Sequence, residues 1–299
     1  MIKKNLYIFL CIFQDDLPNL KCFSLTSYNR TEEYADLVLP LLRRMSHVEE
    51  LTLYVHIFNG PIFISGTYLD NEILIHLPKL HTFKYYFACE TAVTGPVIQL
   101  STMDIERTFA DRERQQIACM VDYFPIIRKF ICRVFSLPFK FHQLTNITNN
   151  IPNMIFDAVT HLGLWGDEPF KHEFFVRLAR AFPHLISLSI WNRQIPFPTY
   201  NEYYLRHKDW SSLVEYPHLI SLDIEYIAGH YVEYLLNETK TYLPCLTELK
   251  VNYEVLKTVT NNFTREETRR NCAKVKRLIS ERSTINPKEI CHYFPSLQF

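Results

Sequence analysis

The segment Phe182-Pro-His-Leu-Ile-Ser-Leu-Ser-Ile190 returns as Tyr216-Pro-His-Leu-Ile-Ser-Leu-Asp-Ile224, with PHLISL identical in both copies. A chain that repeats itself in this way has few folding options. Each copy is one supersecondary unit that cannot bury its apolar face alone, so neighbouring copies must stack. Generalised, the template is an apolar anchor, often followed by proline, with apolar residues three, six and eight positions further on. It fits at Leu17, Met45, Leu77, Phe124, Phe156, Phe182, Tyr216 and Leu243, more weakly at Cys272, and is cut short at Phe294.

Each part of the template has a physical reading. Residues at +6 and +8 flank a polar one, so they point to one side of a short strand. Proline just before the strand fixes an extended approach and stops any preceding helix. Between strands, apolar residues fall at helical spacing: Tyr34, Leu37, Val38 and Leu41 within 32–44, Phe174, Phe175 and Leu178 within 170–181, and Val232, Leu235 and Leu236. The widest gap between anchors predicts a longer helix over roughly 104–122, with a degenerate repeat near Val97. Strand and helix repeated in one direction predict an α/β fold. It would be a curved solenoid with a parallel sheet on the concave face and helices on the convex face, spanning 17–299 in about nine to ten irregular repeats.

The motifs LPNLKCFSL, VEELTL, LPKLHTF, PHLISLSI and LPCLTELKV resemble leucine-rich repeats, in particular the irregular ones of F-box/leucine-rich-repeat substrate receptors. The resemblance implies a protein-binding repeat module, the substrate-recognition part of a cullin-type ubiquitin ligase. It departs from the family where an Asn or Cys usually stands three residues after the last strand leucine. Those positions hold Tyr28, His56, Ala88, Phe135, Asp167, Arg193, Ile227 and Glu254. No F-box-like helical segment is readable ahead of Leu17, so a role as ligase adaptor requires an F-box upstream or on a partner.

Composition narrows the chemistry. With 32 Lys+Arg against 32 Asp+Glu, the formal charge is zero, which lacks the basic excess of a nucleic-acid binder. Six glycines leave little material for phosphate cradles, and no G-x-S-x-G, G-x-x-x-x-G-K-[ST] or G-x-G-x-x-G occurs. No Cys/His spacing suits a metal, and His47, His184 and His218 recur at one template position as surface residues. The reading is a non-enzymatic protein without cofactor, metal, nucleic-acid partner or membrane span. The basic run from Arg269 to Arg277 reads as a solvated helix end. The eight cysteines, none in C-x-x-C, read as reduced core residues of a cytoplasmic or nuclear protein. Residues 1–16 stand apart from the repeat, with an apolar run from Leu6 to Phe13. This run reads as an end-capping strand, as a non-native start, or as a signal peptide. In the last case the chain is a secreted or surface recognition domain, with glycan acceptors at Asn29 and Asn146.

The candidate binding residues follow from strand alternation. Position +9 holds Thr26, Tyr54, Tyr86, Arg133, Trp165, Trp191, Glu225 and Asn252, and position +7 adds Lys84, Gly163 and Asp223. If these positions face away from the core, they line the concave sheet with the residue types enriched in binding hot spots. The candidate set is Tyr54, Lys84, Tyr86, Arg133, Trp165, Trp191, Asp223 and Glu225, facing a protein or peptide ligand. The alternative is that +9 turns inward as each strand ends and serves packing.

Overall fold

The structure is a computed structural model. It describes residues 17, 19–93, 100–109, 116–192, 212–281 and 290–298. Residues 1–16 and the degenerate repeat near Val97 lie outside the described residues. Where the repeat reads as one array over 17–299, the chain divides into two compact units, 1–140 and 141–299. Both are mixed α/β, with parallel strands alternating with helices.

The first unit holds a five-stranded sheet of order β1-β2-β3-β5-β4. Its strands are β1 (Cys22–Thr31), β2 (Glu50–Phe58), β3 (Thr82–Ala92), β4 (Ile117–Phe124) and β5 (Lys129–Ser136). β1, β2 and β3 are parallel, as the repeat requires. The helical spacing after β1 produces a π turn, Tyr34–Val38, running into α1 (Leu39–Arg43), and α2 (Gly66–Glu72) follows β2. Tyr34, Leu41, Leu42 and Leu69 pack with Leu51, Leu53, Phe83 and Tyr85 in one buried core.

The Phe124 copy breaks the pattern. Instead of a helix over 104–122, α3 (Thr102–Arg107) stops early and β4 begins at Ile117. β4 and β5 form an antiparallel hairpin, and β5 runs antiparallel to β3. Pro125 opens the connecting turn, closed by the Arg128 N–H donating to the Pro125 carbonyl at 3.3 Å. Arg128 takes a left-handed φ of 48° there. The same Phe-Pro pair that elsewhere precedes a parallel strand here turns the chain back.

The second unit holds six parallel strands in the order β13-β12-β10-β8-β7-β6. They are β6 (Gln143–Ile147), β7 (His161–Trp165), β8 (Ser187–Asn192), β10 (Ser221–Ile227), β12 (Glu248–Val251) and β13 (Arg277–Ile279). β9 (Val214–Glu215) pairs separately with β11 (Thr241–Tyr242). The helices are α4 (His172–Ala181), α5 (Gly229–Leu236), α6 (Tyr253–Val259) and α7 (Glu266–Cys272).

Here the template becomes geometry. The anchor carbonyl accepts from the +3 N–H, closing a turn with proline at its second position: Leu219 to Tyr216 at 3.3 Å and Leu246 to Leu243 at 3.4 Å. The +4 carbonyl then accepts two N–H groups, from +4 and +5 of the next copy. Thr160 receives Ile186 and Ser187, Ile186 receives Ile220 and Ser221, and Ile220 receives Thr247 and Glu248. These paired bonds fix the register, so His161, Ser187, Ser221, Glu248 and Arg277 stand side by side. The +6 and +8 residues Leu162, Leu164, Leu188, Ile190, Leu222, Ile224, Leu249 and Val251 are buried. Removing one such leucine side chain is expected to cost about 2–5 kcal/mol.

One copy escapes the template. β6 is stitched in the same way, with His142 O accepting from Thr160 and His161, yet Pro138 stands where an apolar anchor is expected. Its +8 position is Asn146, in a left-handed φ of 56°, and Ile147 takes the buried place across a register shift.

Candidate functional site

The eight predicted residues fall in two groups with different fates. In the first unit, Tyr54, Tyr86 and Arg133 are buried, so the expectation of an exposed binding face there is corrected. The Tyr54 and Tyr86 rings stack at 4.3 Å and 16°, and Tyr28 meets Tyr54 edge-on at 4.8 Å. Phe139 covers Tyr86 at 6.0 Å. Arg133 donates to the Asp122 carboxylate, and both side chains are buried. Burial and the neighbouring Tyr86 push the Tyr54 hydroxyl pKa upward, so it stays protonated. This face is a second layer of packing. Lys84, by contrast, is exposed on β3.

Sequence reading missed a polar cluster at the end of the same sheet. The buried Glu90 carboxylate meets Lys129 Nζ at 2.7 Å, Arg30 Nε at 2.9 Å and His56 Nε2 at 3.2 Å. Phe58 lies under Arg30 and Lys129, at 5.9 and 5.6 Å from its ring centre. Template arithmetic gave no cue, because Arg30, His56, Phe58 and Glu90 come after +9, where β1, β2 and β3 continue, and Lys129 stands at +5 of the copy that turns back as a hairpin.

In the second unit the aromatic positions do come together. Trp165 and Trp191 stand opposite each other on β7 and β8, with ring centres 6.0 Å apart. The next place in that row belongs to Tyr226, because a register shift between Asp223 and Tyr226 moves β10 along by one residue. The Tyr226 ring lies 4.3 Å from Trp191. Glu225, predicted in that place, is buried instead, which corrects its assignment to the binding face. Its carboxyl pKa is raised by burial. Trp191 remains 44% exposed, while Trp165 and Tyr226 are half-buried.

The face around this row is polar and internally neutralised. A groove of about 360 Å³ beside the tryptophans is floored by Gly163 and Ser189 and flanked by Thr145, Asn146 and His161. Lys250 contacts Asp223 at 3.3 Å and Glu281 at 2.6 Å, and lies 6.0 Å from the Tyr226 ring centre. Tyr226 donates to Glu281 at 2.8 Å, and Arg277 meets Glu248 at 3.0 Å. Beyond this face, two arginines of the basic run are also paired: Arg269 with Glu266 at 2.9 Å and Arg270 with Glu238 at 2.8 Å. The arrangement offers aromatic planes and neutral hydrogen-bonding groups.

Among the described residues, no group of three or more His, Cys, Asp and Glu is placed to hold a metal ion, and no helix is long and apolar enough to cross a membrane. Cys89, Cys119, Cys132 and Cys272 are buried, and burial pushes the Cys89 and Cys119 thiols up to about 12. No family model, curated protein or solved structure matches the chain.

Proposed function

We propose that this chain is a non-enzymatic protein-binding module built as a curved leucine-rich-repeat-like solenoid. Its ligand is a protein or peptide segment docked on the sheet face of the second unit. The observation that carries this reading is the row Trp165–Trp191–Tyr226, which leaves a large indole 44% exposed on an otherwise well-packed sheet. Exposed aromatic planes bounded by neutral polar groups are characteristic of binding hot spots. The resemblance to F-box/leucine-rich-repeat receptors extends the reading. Joined to an F-box segment upstream or on a partner, the module would present substrates to a cullin-type ubiquitin ligase in the cytoplasm or nucleus.

Two substitutions test the face. Trp165→Ala with Trp191→Ala is expected to abolish capture of a partner identified by photo-crosslinking from position 189, with little change in melting temperature. Gly163→Val works from the opposite direction. The three atoms nearest a Cβ at Gly163 all belong to Thr145, at 3.6–3.7 Å, an ordinary van der Waals contact, so the added Cβ is accommodated while a larger side chain intrudes on the groove. Valine suits a strand better than glycine, so stability should hold or rise by about 0.5–1 kcal/mol while capture is lost. A large fall in melting temperature for the tryptophan pair, or undiminished capture by Gly163→Val, sinks the reading.

A further inference from the structure

The second unit carries another concavity, away from the aromatic row. A groove of about 580 Å³ lies between α4 and the segment 152–155, within the size range of ligand pockets. Helical periodicity builds one wall. Phe174, Phe175, Leu178 and Ala181 turn inward and are buried, which leaves Glu173, Arg177 and Arg180 on the outer face. Arg177 and Arg180 are one turn apart and both line the groove. Met154 and Ile155 supply the apolar side, with Ile155 62% exposed.

Two features separate this groove from ordinary solvated surface. First, its cations are not neutralised by a carboxylate among the described residues. Arg177 donates to the Asn149 carbonyl and reaches over Phe174 at 6.0 Å, but among the described residues neither Arg177 nor Arg180 enters an ion pair. Most other arginines among the described residues do, and two arginines in one groove with Glu173 as its one lining carboxylate among the described residues make a local positive field. Second, the α4 end of the groove is braced. His172 is buried, its Nδ1 2.7 Å from the Tyr234 hydroxyl on α5 and its Nε2 3.1 Å from the Ser212 hydroxyl. Phe170 N–H donates to the Tyr231 hydroxyl at 2.9 Å. The wall that presents both arginines is thereby tied to the neighbouring helix and does not need ordering when a ligand arrives.

The geometry points to a second binding site in this groove, for an acidic segment of a partner protein that carries aliphatic side chains. Carboxylates would pair with Arg177 and Arg180, whose planar forks suit them, and an aliphatic side chain would cover Ile155 and Met154. Charge and apolar surface are both needed. Arginine pairs alone are solvated and weak, and the apolar rim alone gives no preference for an acidic ligand.

The test uses the full chain and fluorescein-labelled short peptides read by anisotropy. One peptide alternates leucine with glutamate, a second leucine with glutamine, and a third serine with glutamate. The leucine–glutamate peptide is expected to bind at least about tenfold more tightly than either control. Its affinity should fall about tenfold or more in Arg177→Gln/Arg180→Gln and in raised salt. Ile155→Asp should weaken it similarly. All three side chains are exposed, so these variants are expected to keep the wild-type melting temperature. Trp165→Ala/Trp191→Ala should leave the affinity unchanged, which keeps this site's fate separate from that of the strand face. Equal binding of the leucine–glutamine peptide, full affinity in the double arginine variant, or loss on removing the tryptophans would overturn the proposal.

Discussion

Glu90 shows how much a single side chain controls in this fold. Burial by itself raises a carboxyl pKa, but the contacts from His56, Lys129 and Arg30 outweigh it and hold Glu90 near 2, against an ordinary value of 4.5. A folded pKa below the unfolded one means the contribution is complete above the ordinary carboxylate range. It is lost as pH falls toward 2. His56 acts in the same direction: burial lowers its pKa below 6.5, so protonation on acidification opposes folding. Glu90→Gln leaves two cations and a histidine without their shared anion. The cost is expected to be about 2–4 kcal/mol at neutral pH, reduced from the usual loss for a fully buried pair because Arg30 and Lys129 keep part of their water. Urea titrations at several pH values should also show a flatter dependence of stability on pH in the variant. An unchanged pH slope would mean that Glu90 does not drive acid unfolding.

The β4–β5 hairpin is the element that sequence alone misreads, and the reason is local. Phe124-Pro125 matches the anchor-proline pair of most other copies, and a proline at the second position of a turn is compatible with either outcome. What decides is the residue at the turn's end: Arg128 enters the left-handed region, closing a hairpin instead of launching a parallel strand. Arginine is strained there, so Arg128→Gly is expected to stabilise the protein by about 0.5–1 kcal/mol, readable as a raised midpoint in urea. Destabilisation would show that the arginine side chain contributes more than its backbone strain costs. The same logic sorts what could be read in advance. Anchor, +3, +6 and +8 positions were legible because burial in stacked strands demands apolar residues at fixed intervals. The burial of Tyr54 and Tyr86 was not, because alternation describes one strand and cannot say that a second packing layer covers its other face. The place of Tyr226 in the aromatic row was hidden by a one-residue register shift, which leaves no mark in composition.

At the scale of the whole molecule, a zero net charge conceals two surfaces of opposite character. On the strand face, Asp223, Lys250 and Glu281 neutralise one another, as do Glu248 and Arg277, so the aromatic row is surrounded by charges already engaged. At α4, Arg177 and Arg180 enter no ion pair among the described residues, and both line the groove. Ionic strength should therefore separate the two. Screening shortens the reach of exposed charges from about 30 Å at 0.01 M salt to about 3 Å at 1 M. Binding on the aromatic row should change by no more than about twofold over such a range, since burial of ring surface is not weakened by added salt and no free charge is neutralised. Measured by surface capture of the crosslinked partner, a flat salt response assigns recognition to the rings. A steep loss would mean that the ion pairs around Lys250 open to engage the partner. The row would then act as a platform flanked by exchangeable charges, and Lys250→Met would become the substitution that removes the salt dependence.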